Sequence, residues 1–150
     1  MSHLAMSKIF FRQTYIAPVG QTVFDLPPHD KSYAAVLFNV MATGHLVAMF
    51  ELICAREIQA YLADDEETLL SSLIDCRHRA PIPPGALITV DGSVTGISDQ
   101  EVTFWVRASD EQEIVCEGQV RFAIFKRLQL ERKIQRKREA IGRRQLFAAA

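Results

Sequence analysis

Cysteine is scarce in this 150-residue sequence, and what there is follows no metal or disulfide pattern. Cys54, Cys76 and Cys116 are odd in number and widely spaced, with no Cys-X-X-Cys, so neither a disulfide framework nor a zinc ribbon is expected. All three sit in apolar surroundings and read as buried, reduced thiols, which fits a cytoplasmic location. No apolar run approaches the roughly 18 residues that a membrane span needs. The longest, residues 46–53, is interrupted by Glu51. The stretch from Met1 to Met6 lacks the basic start and long apolar core of a signal peptide. Residues 1–8 are expected to be a disordered or tag-derived end. Internal repeats and low-complexity segments are also missing. Basic residues are not interleaved with aromatics as in a base-stacking surface, so neither nucleic acid nor membrane is an expected partner. No metal and no cofactor are expected.

What remains is an ordinary globular composition, 49% apolar and 23% charged, in a length that as a prior gives one domain. The net charge of -1 conceals an asymmetry. Residues 126–144 hold nine Lys/Arg against two Glu, while the rest holds eight against sixteen Asp/Glu. A basic C-terminal segment is therefore attached to an acidic body.

The pattern along the chain is two short strands, one apolar helix and a run of longer strands. Residues 9–16 are β-branched and aromatic, which predicts a strand, and 22–26 predict a short second one ended by Pro27-Pro28. Residues 45–62 predict a helix entered at Thr43-Gly44, with hardly any polar stripe before Arg56, so it is expected to be buried on all sides. Residues 69–80, 86–97, 101–109 and 113–125 predict strands, the last three joined by short polar turns. Pro81-Ile82-Pro83-Pro84-Gly85 separates the first of these from the other three. A basic helix over 128–146, with Leu130, Ile134 and Ile141 as a sparse apolar stripe, is expected to pack on the domain formed by 9–127. A sheet with one apolar face needs a cover, and the 45–62 helix is the one candidate large enough. The fold class is α+β.

Three residues stand out within this frame. Glu51 lies mid-helix with Val47, Ala48, Cys54 and Ala55 as its nearest helical neighbours, none able to pair with it. A carboxylate there must find a partner on another element, such as Arg77, Arg79 or a histidine, or sit at a polar cleft. His78 shares a strand face with Ile74 and Cys76, opposite Leu73, Asp75, Arg77 and Arg79, and so faces the helix. By itself it reads as a buried neutral histidine. Thr43 reads first as a helix N-cap, and it stands about 12 Å along the axis from Glu51, too far for direct contact within one subunit, so a shared site needs Thr43 of one chain to meet Glu51 of another in a dimer, or a substrate that spans the gap. The helix N-terminus also offers free backbone N–H groups, including that of Gly44, suited to a developing oxyanion.

The stretch Met41-Ala42-Thr43-Gly44-His45-Leu46-Val47-Ala48-Met49-Phe50-Glu51, followed by Cys54-Ala55-Arg56, resembles the helix of the fluoroacetyl-CoA thioesterase family. Cys76-Arg77-His78 with Pro83-Pro84-Gly85 resembles that family's histidine strand and turn. The resemblance implies a hotdog fold, a curved antiparallel sheet wrapped around a long central helix, with an extra C-terminal helix here. It implies a homodimer, with higher oligomers open, that hydrolyses small acyl-CoA or acyl-carrier thioesters with Thr43, Glu51 and His78 set at the dimer interface. It also implies substrate-binding roles for Gly44, Leu37, Phe38, His45 and Ser71. Three of these depart from the fluoroacetyl-specific pattern: His45 replaces an aromatic residue, Ser71 a glycine, and Leu37, with Phe38 adjacent, a gating phenylalanine.

Two routes to hydrolysis stay open. Thr43 can attack and form an acyl-enzyme, or Glu51 can act as general base on water, with His78 protonating the leaving thiolate or activating water. A non-catalytic acyl-CoA-binding module and a hotdog hydratase or dehydratase are the competing functions. The basic segment reads as a solvated helix first, and second as a contact for CoA phosphates or an acidic carrier protein.

Overall fold

A computed structural model describes residues 3–25, 38–62 and 66–148. Five strands form one antiparallel sheet: β1 (Phe10–Ile16), β2 (Glu67–His78), β3 (Leu87–Ile97), β4 (Glu101–Ser109) and β5 (Ile114–Lys126). Their order across the sheet is β1-β3-β4-β5-β2, so β1 and β2 are its two edges. The helices are α1 (His3–Met6), α2 (Thr43–Gln59) and α3 (Arg127–Ala148).

The core forms where the inner face of the sheet meets α2. Leu46, Phe50, Ile53, Cys54 and Ile58 are the buried side of the helix. They oppose Val90, Val102, Phe104, Val106, Val120 and Phe122 of the meander, all buried. Phe104 stacks edge-on against Phe122 at 6.5 Å and tilts against Phe11 at 6.2 Å. Gly92 pairs with Phe11 across β1 and β3, and a Cβ there would lie 2.1 Å from the Phe11 ring. The missing side chain is thus the space that the ring occupies.

Several expectations are corrected. Residues 22–25 do not form the strand expected over 22–26, whose last residue lies outside the described residues: Val23–Asp25 is a single 3-10 turn, and Thr22 makes one isolated bridge to Met41. The Asp25 carboxylate accepts hydrogen bonds from both the N–H and the hydroxyl of Thr22, closing a local turn in preference to a ladder. The N-terminal end is not frayed throughout, because Met6 is fully buried in the core. The helix α2 is not covered on all sides: Leu52 is 72% exposed and Ala48 is also exposed. One sheet can cover only one side of a helix, so the apolar residues on the other side stay open. Along α3, residues 131–139 are all exposed, and the helix contacts β5, from which it continues directly.

Candidate active site

Two backbone hydrogen bonds pin the start of α2 beside the end of β2. The Met41 N–H donates to the Ile82 carbonyl at 2.7 Å, and the Ala42 N–H donates to that of Gln21 at 3.0 Å. Ile82 is fully buried within the proline-rich turn that follows β2. Its anchoring therefore sets where the helix begins relative to the last residue of β2, which is His78.

That placement brings Thr43 and His78 together. Thr43 Oγ1 lies 2.9 Å from His78 Nδ1. The N-cap expected at Thr43 is instead Ala42, with no side-chain cap, and Thr43 is the first helical residue. Its hydroxyl is free of capping and engages the imidazole. His78 faces the helix, as strand alternation predicts: Ile74, Cys76 and His78 are half-buried, whereas Leu73, Asp75, Arg77 and Arg79 are exposed. Burial lowers the His78 pKa from its ordinary value, and the Ala80 backbone opposes this more weakly. The ring is held toward its neutral form, the form that can accept a proton. Its Nε2 is shut off from solvent and has no hydrogen-bond partner among the described residues.

Glu51 finds its partner on β2. Ser71 Oγ donates to Glu51 Oε1 at 2.6 Å. Neither arginine considered from the sequence takes that role, since Arg79 pairs with Glu117 at 2.5 Å on the outer face and Arg77 is exposed on that same face. The three predicted catalytic residues thus fall into a Thr43–His78 pair and a Glu51–Ser71 pair, both formed between α2 and β2 within one chain.

The other predicted residues are more scattered. Gly44 is exposed at the helix N-terminus, and a Cβ there would meet nothing within 4 Å, so the space before it is open. Phe38 is 81% exposed, and Leu37 lies outside the described residues. His45 lines a cleft of about 380 Å³ with Tyr15, Gln21, Met49, Leu52 and Arg56, apart from Thr43, Glu51 and His78. Its Nε2 is also buried, with no hydrogen-bond partner among the described residues. The three cysteines are free thiols. Burial, then the charge of Glu57, pushes Cys54 up to about 12, which removes it as a nucleophile at neutral pH. A thiol–thiol hydrogen bond lowers the Cys76 pKa and raises that of Cys116. No group of residues able to hold a metal ion occurs among the described residues.

Residues 29–128 match the sequence profile of the fluoroacetyl-CoA-specific thioesterase family. The chain belongs to that family. The fluoroacetyl-CoA thioesterase of Streptantibioticus cattleyicolor is 27% identical over 130 residues, covering 87% of this chain and 92% of that protein. The crystal structure of a fluoroacetyl-CoA thioesterase superposes with a TM-score of 0.78 at 26% identity, covering 86% of this chain and 94% of the other. A thioesterase superfamily member from Thermus thermophilus shares the fold at 20% identity and a TM-score of 0.77, over 89% and 93% of the two chains. The sheet and α2 are therefore a hotdog fold, and this member of the fluoroacetyl-CoA-specific thioesterase family is a thioester hydrolase.

The residue that sequence reasoning underused is Ser71. Its departure from the family pattern was legible, but its partner on α2 was not.

Proposed function

We propose that this protein hydrolyses a small acyl-CoA thioester to free acid and CoA, with Thr43, Glu51 and His78 as its catalytic set. The observation that carries this reading is the 2.9 Å approach of the Thr43 hydroxyl to His78 Nδ1 at an open helix N-terminus. With the imidazole proton on Nε2, Nδ1 accepts the hydroxyl proton as Oγ1 attacks the thioester carbonyl. The oxygen that becomes negative meets the free N–H groups at the start of α2, Gly44 among them, where the helix dipole also favours negative charge. The imidazolium then protonates the departing CoA thiolate. Glu51 serves as general base for the water that clears the acyl group; because it stands about 12 Å along α2 from Thr43, it is brought to that group across the dimer. This order favours an acyl-enzyme over direct attack by water, because the hydroxyl is already paired with its base. The hydratase reading gains nothing from the geometry, since His78 engages a hydroxyl and Glu51 engages Ser71.

The working unit in this reading is a dimer. On its outer edge β2, twelve residues long, has no strand beside it among the described residues, and its Leu70 and Leu73 are exposed. A long unpaired edge with apolar side chains is a template for another strand. A second copy pairing along β2 would continue the sheet and bring the open side of α2, with Leu52, towards its counterpart. Light scattering on the intact protein is expected to give twice the chain mass, and a monomer at micromolar concentration would remove this part of the reading.

The function is tested by thiol release across short, branched, aromatic and fluorinated acyl-CoAs. Turnover of at least one is expected, with collapse in Thr43→Ala, Glu51→Gln and His78→Ala. A mass increase on Thr43 under rapid acid quench would support the acyl-enzyme. A folded protein that binds acyl-CoA without releasing thiol would instead be the non-catalytic module.

A further inference from the structure

The pairing of β2 with β5 contains an irregularity. Ser71 lies opposite Phe122 and Leu73 opposite Arg121, so Ser72 is an extra residue between them. Beyond it Ile74, Cys76 and His78 face α2. Simple alternation back from His78 would put Ser71 on the outer face, with Leu73, Asp75 and Arg77. The extra residue reverses the phase. Phe122 is an inner-face core residue, and Ser71 opposite it is turned inward, where its hydroxyl reaches Glu51 Oε1 at 2.6 Å. A β-bulge beside a site commonly re-aims a side chain in this way.

From this geometry we infer that Ser71 is a positioning residue: the bulge at Ser72 turns it inward so that its hydroxyl fixes the rotamer of Glu51. The inference rests on the proposed role of Glu51 as base. Glu51 sits mid-helix with apolar helical neighbours, and among the described residues Ser71 is its side-chain hydrogen-bond partner. Free to rotate, its carboxylate would sample several rotamers about three side-chain torsions. Holding Oε1 leaves Oε2 with one preferred direction, towards the water it must activate. In this role Ser71 acts through Glu51 and not on the reacting atoms.

The test is a double-mutant cycle with Ser71→Ala, Glu51→Gln and the pair, assayed on the acyl-CoA that wild type turns over best, together with Ser71→Thr. Ser71→Ala is expected to lower kcat on the order of 10- to 100-fold, since small misplacements of a catalytic group have effects of that size. KM should stay within about twofold if the hydroxyl acts only through Glu51, and a KM that rises while kcat holds would make Ser71 a substrate contact and overturn the inference. Adding Ser71→Ala to Glu51→Gln should cost nothing further, and Ser71→Thr, which keeps the hydroxyl, should recover most of kcat. Multiplicative effects, or an unchanged kcat in Ser71→Ala while Glu51→Gln collapses, would overturn the inference and leave the function standing. An unimpaired Glu51→Gln, or no turnover by wild type, would overturn the role of Glu51 and this inference with it. If Ser71→Ala unfolds, Ser71→Cys, with its weaker and longer donor, takes its place with the same expected direction.

Discussion

From β5, Cys116, Gly118, Val120 and Phe122 point towards α2 and are buried, whereas Glu117, Gln119 and Arg121 of the same strand point away from it. The inner face carries the core and, at its β2 margin, His78 and Ser71. The outer face carries an alternating row of charge. Arg12, Asp91, Arg107, Glu117 and Arg77 lie directly opposite one another in register, one from each strand in sheet order. Arg12 grips Asp91 with two hydrogen bonds of 2.6 and 3.1 Å, and Glu117 is reached by Arg79 at 2.5 Å and Arg107 at 3.7 Å. The inner face has shape and chemistry that one atom can upset, while the outer face has redundant contacts in water. Substitutions on the two faces should therefore differ in size and in kind.

The largest effects belong to the inner margin. His78→Ala is expected to lower kcat/KM about 10²- to 10⁴-fold, the usual contribution of a positioned acid–base group. Thr43→Ala should fall by a similar factor, and the double variant should be little worse than either, because the two act as one unit. Additive losses in thiol-release kinetics would break the pair into separate functions.

Next comes the inner core. Phe104 is fully buried against Phe11 and Phe122, so Phe104→Ala should destabilise the fold by about 3–5 kcal/mol in denaturant titration. Its neighbour Trp105 is 37% exposed on the outer face, and Trp105→Ala should cost less than half as much despite the larger side chain. Equal losses would mean that the outer face is covered in solution.

The same inner environment sets a pH limit. Burial depresses the His78 pKa below its ordinary value of 6.5. The neutral base therefore persists further into acid, and the acidic limb of kcat/KM should have its midpoint below 6.5. Stability follows the same sign: the unfolded chain takes up this proton at about 6.5 and the folded one only lower, so stability is lost as pH falls through that window. A limb centred above 6.5 would point to a charge partner for the ring.

Much of this was legible beforehand. All five long strands and both long helices were predictable from periodicity and turn residues, because a sheet face buried on one side imposes strict alternation. The facing of His78 followed from the same rule. The partners of the polar residues did not. Thr43 reads as a cap from local sequence, and only the tether between Met41 and Ile82, distant in sequence, puts its hydroxyl on His78. Ser71 was hidden by the bulge, since a single extra residue inverts every face assignment before it and Ser71-Ser72 carries no mark of which serine is the extra one. The burial of α2 was overread, because a run of apolar residues does not say how much of a helix one sheet can cover.

The smallest effect should come from the outer row, and it separates the two faces most cleanly. Glu117 sits between Arg79 and Arg107, so Glu117→Gln removes the one negative charge that both approach. Both arginines are roughly half exposed, and water screens what they lose. The cost should be about 1 kcal/mol or less, and it should shrink further between about 0.05 and 1 M salt as the screening length falls. The kcat/KM of Glu117→Gln should stay within about twofold of wild type. A cost that salt leaves untouched would mean that Glu117 acts through packing, and a fall in kcat/KM would mean that the outer row reaches through β5 to the Cys116 and His78 side of the sheet.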